Sequence, residues 1–342
     1  MKKGFHMQRP KFKILSSATY FPEKKLYSHT IDQELNLPPG TIFNKSGVRV
    51  RSIAADNETQ SKMGKMAALA ALKKANMAFE DLDALVCSNG VTQQLIPCNA
   101  ALLQREMGFG DSGVACFDVN STCLSFLTAL DMVSNAMAMG RFRKVMIVTS
   151  DIASVGINWK DLESASLFGD ASVAYILGAP AEESEDTTTV LSAHMKTFAD
   201  AADFCQVKSG GAAKLGFNYR PEEHDEYLFA MDGPKVFKRA AQYIHRFVEE
   251  TLDKAGCTFA DLDHIVPHQA SRSAMELIRR RLNVSTEQFH TSIFEDIGNC
   301  IAASIPIVLH DAIEKNKIYK GQKVLLLGTG AGLSFGAILL EY

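Results

Sequence analysis

Apolar and polar positions along this chain fall into two rhythms. Lys144-Val145-Met146-Ile147-Val148-Thr149-Ser150-Asp151 is a continuous apolar run of the kind found in a strand covered on both faces. Residues 12–20 and 85–90 read as further strands, and the Ala-, Met- and Lys-rich stretch 57–76 reads as a helix. Residues 114–117 form a short β-like run. After a polar turn, apolar residues return near a helical period at Leu124, Leu127, Leu130, Met132, Val133 and Met137. The pattern predicts a strand, a tight turn and a buried helix, with Cys123 at the start of that helix. Strand alternating with helix predicts an α/β chain with a mostly parallel sheet.

The second part of the chain repeats the first. Ala75-Asn76-Met77-Ala78-Phe79-Glu80-Asp81-Leu82-Asp83 is echoed by Ala255-Gly256-Cys257-Thr258-Phe259-Ala260-Asp261-Leu262-Asp263, 180 residues on. Lys144-Val145-Met146-Ile147-Val148 is echoed by Lys323-Val324-Leu325-Leu326-Leu327, 179 residues on. Two distant matches at almost one spacing indicate a duplicated unit. The expected halves are 1–185 and 186–342, joined through the polar stretch 182–203, in which residues 182–186 read as a solvated acidic loop. In that register the Cys123 turn corresponds to the region 297–300, again just before an apolar helix (301–313), and Asn89 at a strand end corresponds to Gln269, beside His268. If the halves pack about a pseudo-twofold axis, Cys123, His268 and Asn299 converge.

Composition narrows the function without naming it. The 342 residues are 46% hydrophobic and 22% charged, with a net charge of −3, which gives no basic excess suited to nucleic acid. The basic start, with Lys2, Lys3, Arg9, Lys11 and Lys13, is not followed by an apolar run that could act as a signal peptide or span a bilayer. A cytoplasmic enzyme or binding protein is the expectation. Seven cysteines, none in a CxxC pair, suggest neither a disulfide framework nor a zinc site.

Unpaired N–H groups at a helix start favour a thiolate, drawing a cysteine from about 8.5 towards roughly 3.5–7.5. Cys123 is therefore a candidate nucleophile, although a buried structural cysteine carries the same local signature. His268 ends a strand at Val266-Pro267-His268, and Asn299 has the chemistry of a helix N-cap. The run Gly328-Thr329-Gly330-Ala331-Gly332 is followed by a strand and not by the helix that dinucleotide binding requires. It reads instead as a tight turn whose N–H groups approach a reacting centre.

Together these segments resemble the β-ketoacyl-acyl-carrier-protein synthase III family, condensing enzymes of the thiolase superfamily, along nearly the whole chain. The resemblance is carried by Ser46-Gly47-Val48-Arg49, Asp118 to Cys123, Leu167-Phe168-Gly169-Asp170, Met231 to Lys238, His268-Gln269-Ala270, Gly298 to Pro306 and the terminal glycine turn. It implies a five-layered αβαβα fold built from two duplicated halves, and a decarboxylative Claisen condensation through an acyl-Cys123 intermediate. It implies too that His268 and Asn299 donate to the malonyl thioester carbonyl, that the N–H groups of Cys123 and Ala331 form the oxyanion hole, and that no metal or other cofactor is needed. Implied partners are acyl thioesters on coenzyme A or on an acyl carrier protein, and a second copy in a homodimer. Lys235, Lys238, Arg239, Arg279, Arg280 and Arg281 resemble the carrier-docking surface, or form a solvated helix face.

The chain departs from the family pattern at several places. Residues 41–47 lack the Trp that stacks on the adenine of coenzyme A, which favours a carrier-borne donor. Ile96 occupies the position that shapes the partner's acyl pocket, where head-to-head long-chain relatives place a Glu base. Ser271 replaces an Asn, and Thr329 a Phe. Acyl transfer to an alcohol or amine acceptor is the first alternative function, and a non-catalytic partner subunit of a condensing complex the second. A papain-like protease shares the order Cys, His, Asn but lacks duplicated α/β units.

Overall fold

The computed structural model describes residues 9–181 and 186–342. The acidic residues 182–185, expected as a solvated loop, and Lys2 and Lys3 lie outside them. The following Asp186 pairs with Lys320 at 2.8 Å.

Nine strands run in the order His264–Pro267, Lys323–Gly330, Ser334–Glu341, Thr188–Thr197, Lys11–Tyr20, Ala171–Gly178, Lys144–Asp151, Ala84–Cys87, Ala115–Asp118. Lys11–Tyr20 pairs along its length with Ala171–Gly178, but meets Thr188–Thr197 only at Lys11 and Phe12. The nine strands therefore form two sheets joined at a corner. Strands before the expected division lie in one sheet, and those after it lie in the other.

Each sheet is built on the same plan. In the first, Ala84–Cys87 lies parallel between Ala115–Asp118 and Lys144–Asp151. In the second, His264–Pro267 pairs in parallel with Lys323–Gly330, and a single parallel bridge from Ile265 to Phe289 takes the place of the edge strand. The repeated sequence has a local cause. Asp81 and Asp261 each accept a hydrogen bond from the backbone three residues before them, at 3.0 and 2.7 Å. Asp83 and Asp263 accept from the N–H groups that open the Lys144 and Lys323 strands, both at 2.8 Å.

The sheet is not mostly parallel. Five of its eight pairings are antiparallel, because several neighbouring strands are not joined by a crossover helix. Lys323–Gly330 and Ser334–Glu341, for example, form a hairpin.

Helices fill three layers. Ser125–Ala138 and Ser304–Glu314 lie between the sheets, in one core with Val145 and Ile147 of the first and Val324 and Leu326 of the second. The alternate residues Met146 and Val148 face an outer layer containing helix Gln60–Ala75, and Leu325 and Leu327 face another containing Gly233–Ala255 and Arg272–Leu282. This is the five-layered thiolase-like arrangement. Thr59 caps the N-terminus of Gln60–Ala75 by accepting from Lys62 N–H at 3.3 Å, and Asn76 ends it in the left-handed conformation. Ile244 is fully buried in the second outer layer. Ile244→Ala is expected to cost about 2–5 kcal/mol, measurable as a lower midpoint in urea.

Candidate active site

Both central helices begin in the same way. Cys123 lies in a 3-10 turn, Thr122–Leu124, which opens Ser125–Ala138; the turn Ile301–Ala303 opens Ser304–Glu314. Asn120 Oδ1 accepts from Thr122 N–H, and Asn299 Oδ1 from Ile301 N–H, each at 2.9 Å. Ser125 Oγ accepts from Ser121 N–H at 2.9 Å, and Ser304 Oγ from Cys300 N–H at 3.1 Å. Thr122 and Ile301 have φ values of 52° and 49°, which β-branched residues adopt only when their surroundings force them. The register through the two helix starts is thus 179. Cys123 corresponds to Ala302, two residues beyond the region expected from sequence, and Asn120 corresponds to Asn299.

Cys123 is partly buried beneath the terminal hairpin. Its thiol is pushed up to about 12 by burial, which the backbone N–H groups of Ala331 and of Cys123 itself oppose; the Asp151 charge adds to the rise. The lowered pKa expected from the helix start is therefore not found, because losing water outweighs two backbone donors. Both expected oxyanion-hole donors, Cys123 and Ala331, are among the groups that lower the thiol. Gly330 makes the approach of the hairpin possible. A Cβ on it would lie 2.8 Å from Thr122 Oγ1 and 3.3 Å from Leu124 Cγ.

His268 follows strand His264–Pro267, its N–H donating to Leu327 O at 2.7 Å. Burial holds its imidazole down at about 4, so the ring is neutral at pH 7. Its Nδ1 is buried with no hydrogen-bond partner among the described residues. With the single ring proton on Nε2, the imidazole can donate to a carbonyl oxygen. The base of the His268 side chain and Leu124 of the Cys123 turn both crowd Gly328, where a Cβ would lie 2.9 Å from Leu124 Cδ2 and 3.1 Å from His268 Cβ.

Asn299 is oriented by its neighbours. Ile301 N–H occupies Oδ1, which leaves Nδ2 as a donor, and Nδ2 reaches Ala270 O, two residues beyond His268, at 3.3 Å. The preceding Gly298 has φ 70° and ψ −157°, and a Cβ there would meet the carbonyl oxygen of Leu167. Glycine is needed to bring Asn299 N–H to that carbonyl, at 2.9 Å.

The other sequence candidates divide. Ser271 caps helix Arg272–Leu282 by accepting from Ala274 N–H at 3.2 Å, which a serine does as well as an asparagine. Ile96 is 83% exposed, so it lines no pocket in its own chain. Among the basic residues, Lys235 pairs with Asp232 at 2.7 Å, Arg239 with Asp200, and Arg279 and Arg280 with Glu276 at 2.8 and 2.6 Å. Lys238 and Arg281 are exposed. In the stretch without Trp, one face of Phe43 is covered by the Arg272 guanidinium, 4.9 Å from the ring centre, and Arg272 also donates to Gly47 O at 3.1 Å.

Sequence reasoning missed Asp151. It is fully buried at the end of strand Lys144–Asp151, where Oδ1 accepts from Gly90 and Val91 N–H at 2.9 and 3.0 Å and Oδ2 accepts from Ala302 N–H at 3.0 Å. Burial pushes its carboxyl up to about 7 against these donors. The available signal was the repeat itself, which sets Asp151 opposite Gly330.

A duplicated five-layer core with a cysteine in the turn that opens one inner helix, and a histidine and an asparagine supplied by the other half, defines a thiolase-type condensing-enzyme scaffold. Comparison with known proteins makes the class specific. Residues 117–203 match the family model for 3-oxoacyl-(acyl-carrier-protein (ACP)) synthase III, and residues 252–342 match that for its C-terminal part. The β-ketoacyl-(acyl-carrier-protein) synthase III of Oleidesulfovibrio alaskensis is 30% identical over 328 residues, covering 96% of this chain and 98% of the relative. That of Xylella fastidiosa is 32% identical over 330 residues, covering 96% and 98%. The crystal structure of the Aquifex aeolicus synthase III has a TM-score of 0.85 at 27% identity, over 97% of this chain and all of that one. OleA from Xanthomonas campestris, at 19% identity and a TM-score of 0.84, shares the fold. The chain belongs to the 3-oxoacyl-(acyl-carrier-protein) synthase III family.

Proposed function

We propose that this protein condenses an acyl thioester with a malonyl thioester, using Cys123 as the acyl carrier and His268 and Asn299 as donors to the malonyl thioester carbonyl. The observation that carries this reading is the meeting of the two halves around the Cys123 turn: His268 Cβ and Leu124 both crowd Gly328, and Thr122 O and Ile301 both crowd Gly90. The thiol loses its proton and the sulfur attacks the acyl carbonyl. The oxyanion sits at those two donors, and the carrier thiol leaves with a proton. Loss of CO2 from the malonyl thioester then leaves an enolate, whose oxygen His268 Nε2 and Asn299 Nδ2 hold by hydrogen bonds. Its carbon attacks the acyl-Cys123 carbonyl, and the Cys123 sulfur departs. A neutral imidazole suits this role, since it donates without protonating the enolate it stabilises. No helix among the described residues is long and apolar enough to cross a membrane, in keeping with work in the cytoplasm on carrier-bound substrates.

The donor in this reading arrives on an acyl carrier protein. With one face of Phe43 taken by Arg272, adenine has no open aromatic shelf on that face, and base stacking worth roughly 1–3 kcal/mol is forfeited. Lys238 and Arg281 are the docking candidates whose charge is least committed within the chain. The active unit is a homodimer in which the exposed Ile96 enters the acyl pocket of the other copy. An acyl-carrier donor is expected to exceed the matching coenzyme A ester in kcat/KM by about tenfold or more. Steady-state rates with both donors and one malonyl thioester decide it, and equal values defeat the carrier preference. Product mass in the same assay separates condensation from transfer to an alcohol or amine, because only condensation yields a β-ketoacyl product and CO2.

A further inference from the structure

We propose that the duplicated scaffold builds two equivalent anion-binding turns, and that the Asp151 carboxylate is the permanent occupant of one, standing where a substrate oxyanion stands in the other. The argument rests on the shared register of the two helix starts. Cys123 N–H and Ala302 N–H are equivalent groups, each one residue after a left-handed residue and three residues after an asparagine whose Oδ1 holds the turn. Their surroundings differ at one equivalent position. Strand Lys144–Asp151 ends in a carboxylate, and Ala302 N–H donates to it. Strand Lys323–Gly330 ends in a glycine, which offers Cys123 N–H no side chain to donate to.

The filled turn has the chemistry of an anion site. Asp151 is completely buried, and the groups that donate to it are the backbone N–H groups of Gly90, Val91 and Ala302. Converging backbone donors of this kind are what stabilise an oxyanion in acyl transfer. The empty turn cannot be filled in the same manner, since Gly330 lacks room for a Cβ beside Thr122 and Leu124.

The carboxylate therefore acts as a positioning residue for both reacting centres. Through Ala302 it fixes the turn that begins two residues after Asn299. Through Gly90 it fixes the loop on which the Cys123 turn rests, where Ser125 Oγ donates to Asn89 O at 3.1 Å and the carbonyl of Thr122 lies 3.3 Å from a Cβ built on Gly90. That the turn over Cys123 takes a substrate oxygen rests on the proposed function; that the turn under Asp151 binds an anion does not.

The test is rescue of Asp151→Gly by formate, with thermal midpoint and condensation rate read separately. The variant is expected to melt lower and condense roughly 10- to 100-fold more slowly, as for a displaced catalytic group. Formate should restore the midpoint along a saturation curve, while chloride at equal ionic strength and formate added to the native protein do nothing. A midpoint of folded Asp151→Gly that formate leaves unmoved overturns the proposal. A midpoint that recovers while neither protein condenses upholds the anion site and sinks the proposed function instead. If Asp151→Gly folds only with formate, the proposal stands. If it folds in neither condition, Asp151→Asn decides: its amide turns a donor towards backbone donors, so a loss of midpoint is expected, and native behaviour overturns the assignment.

Discussion

Cys123→Ala protein incubated with an acyl thioester is expected to show no added mass, while the native chain gains one acyl group. Condensation should fall by at least about three orders of magnitude, because the sulfur forms and breaks the bond to the acyl carbon in turn. The structure makes this a sharp test. Cys205 lies close enough for its charge to raise the Cys123 thiol, and its own thiol is pushed up to about 11 by burial. If the variant still takes up an acyl group, on Cys205 or elsewhere, Cys123 is not the carrier. Loss of acylation with an unchanged thermal midpoint is the expected pair of results.

His268→Ala is expected to separate the two half-reactions. Acylation of Cys123 should remain within a few-fold of native, since its oxyanion is held by backbone donors that the change does not remove. Condensation should drop roughly 10²- to 10³-fold, the usual effect of deleting one donor to a developing oxyanion. Intact mass after acyl donor alone, followed by product formation once malonyl thioester is added, gives both numbers from one preparation. Because burial already keeps the ring neutral down to about pH 4, the native condensation profile should have no acid limb near pH 6.5 from this residue. A limb there, absent in His268→Ala, would show that the imidazole works as a charged acid.

The local parts of this structure were legible wherever one short stretch carries its own reason. The strand Lys144–Asp151 coincides with the run read from the sequence. The repeat was visible because Asp81, Asp83, Asp261 and Asp263 make the same backbone hydrogen bonds in both halves. Strand direction was not legible, since apolar periodicity does not distinguish a hairpin from a crossover. Nor was the state of the Cys123 thiol, which depends on water excluded by a hairpin 208 residues away, at Ala331. Asp151 at a strand end looks like any polar boundary residue until Ala302 is brought beneath it. The commitment of Arg279 and Arg280 to Glu276 could have been read from spacing, because they stand three and four residues apart on one helix.

The two inner helices share one core, and this limits what any half-length version of the chain could be. Such a chain would leave the inner face of its sheet uncovered and would have to associate with itself. In a symmetric pair every residue occurs twice, so an aspartate at the strand end would block both turns and a glycine would leave both vacant. Covalent fusion removes that constraint. One copy can give up its turn to hold the architecture rigid, and the other is then free to specialise in chemistry.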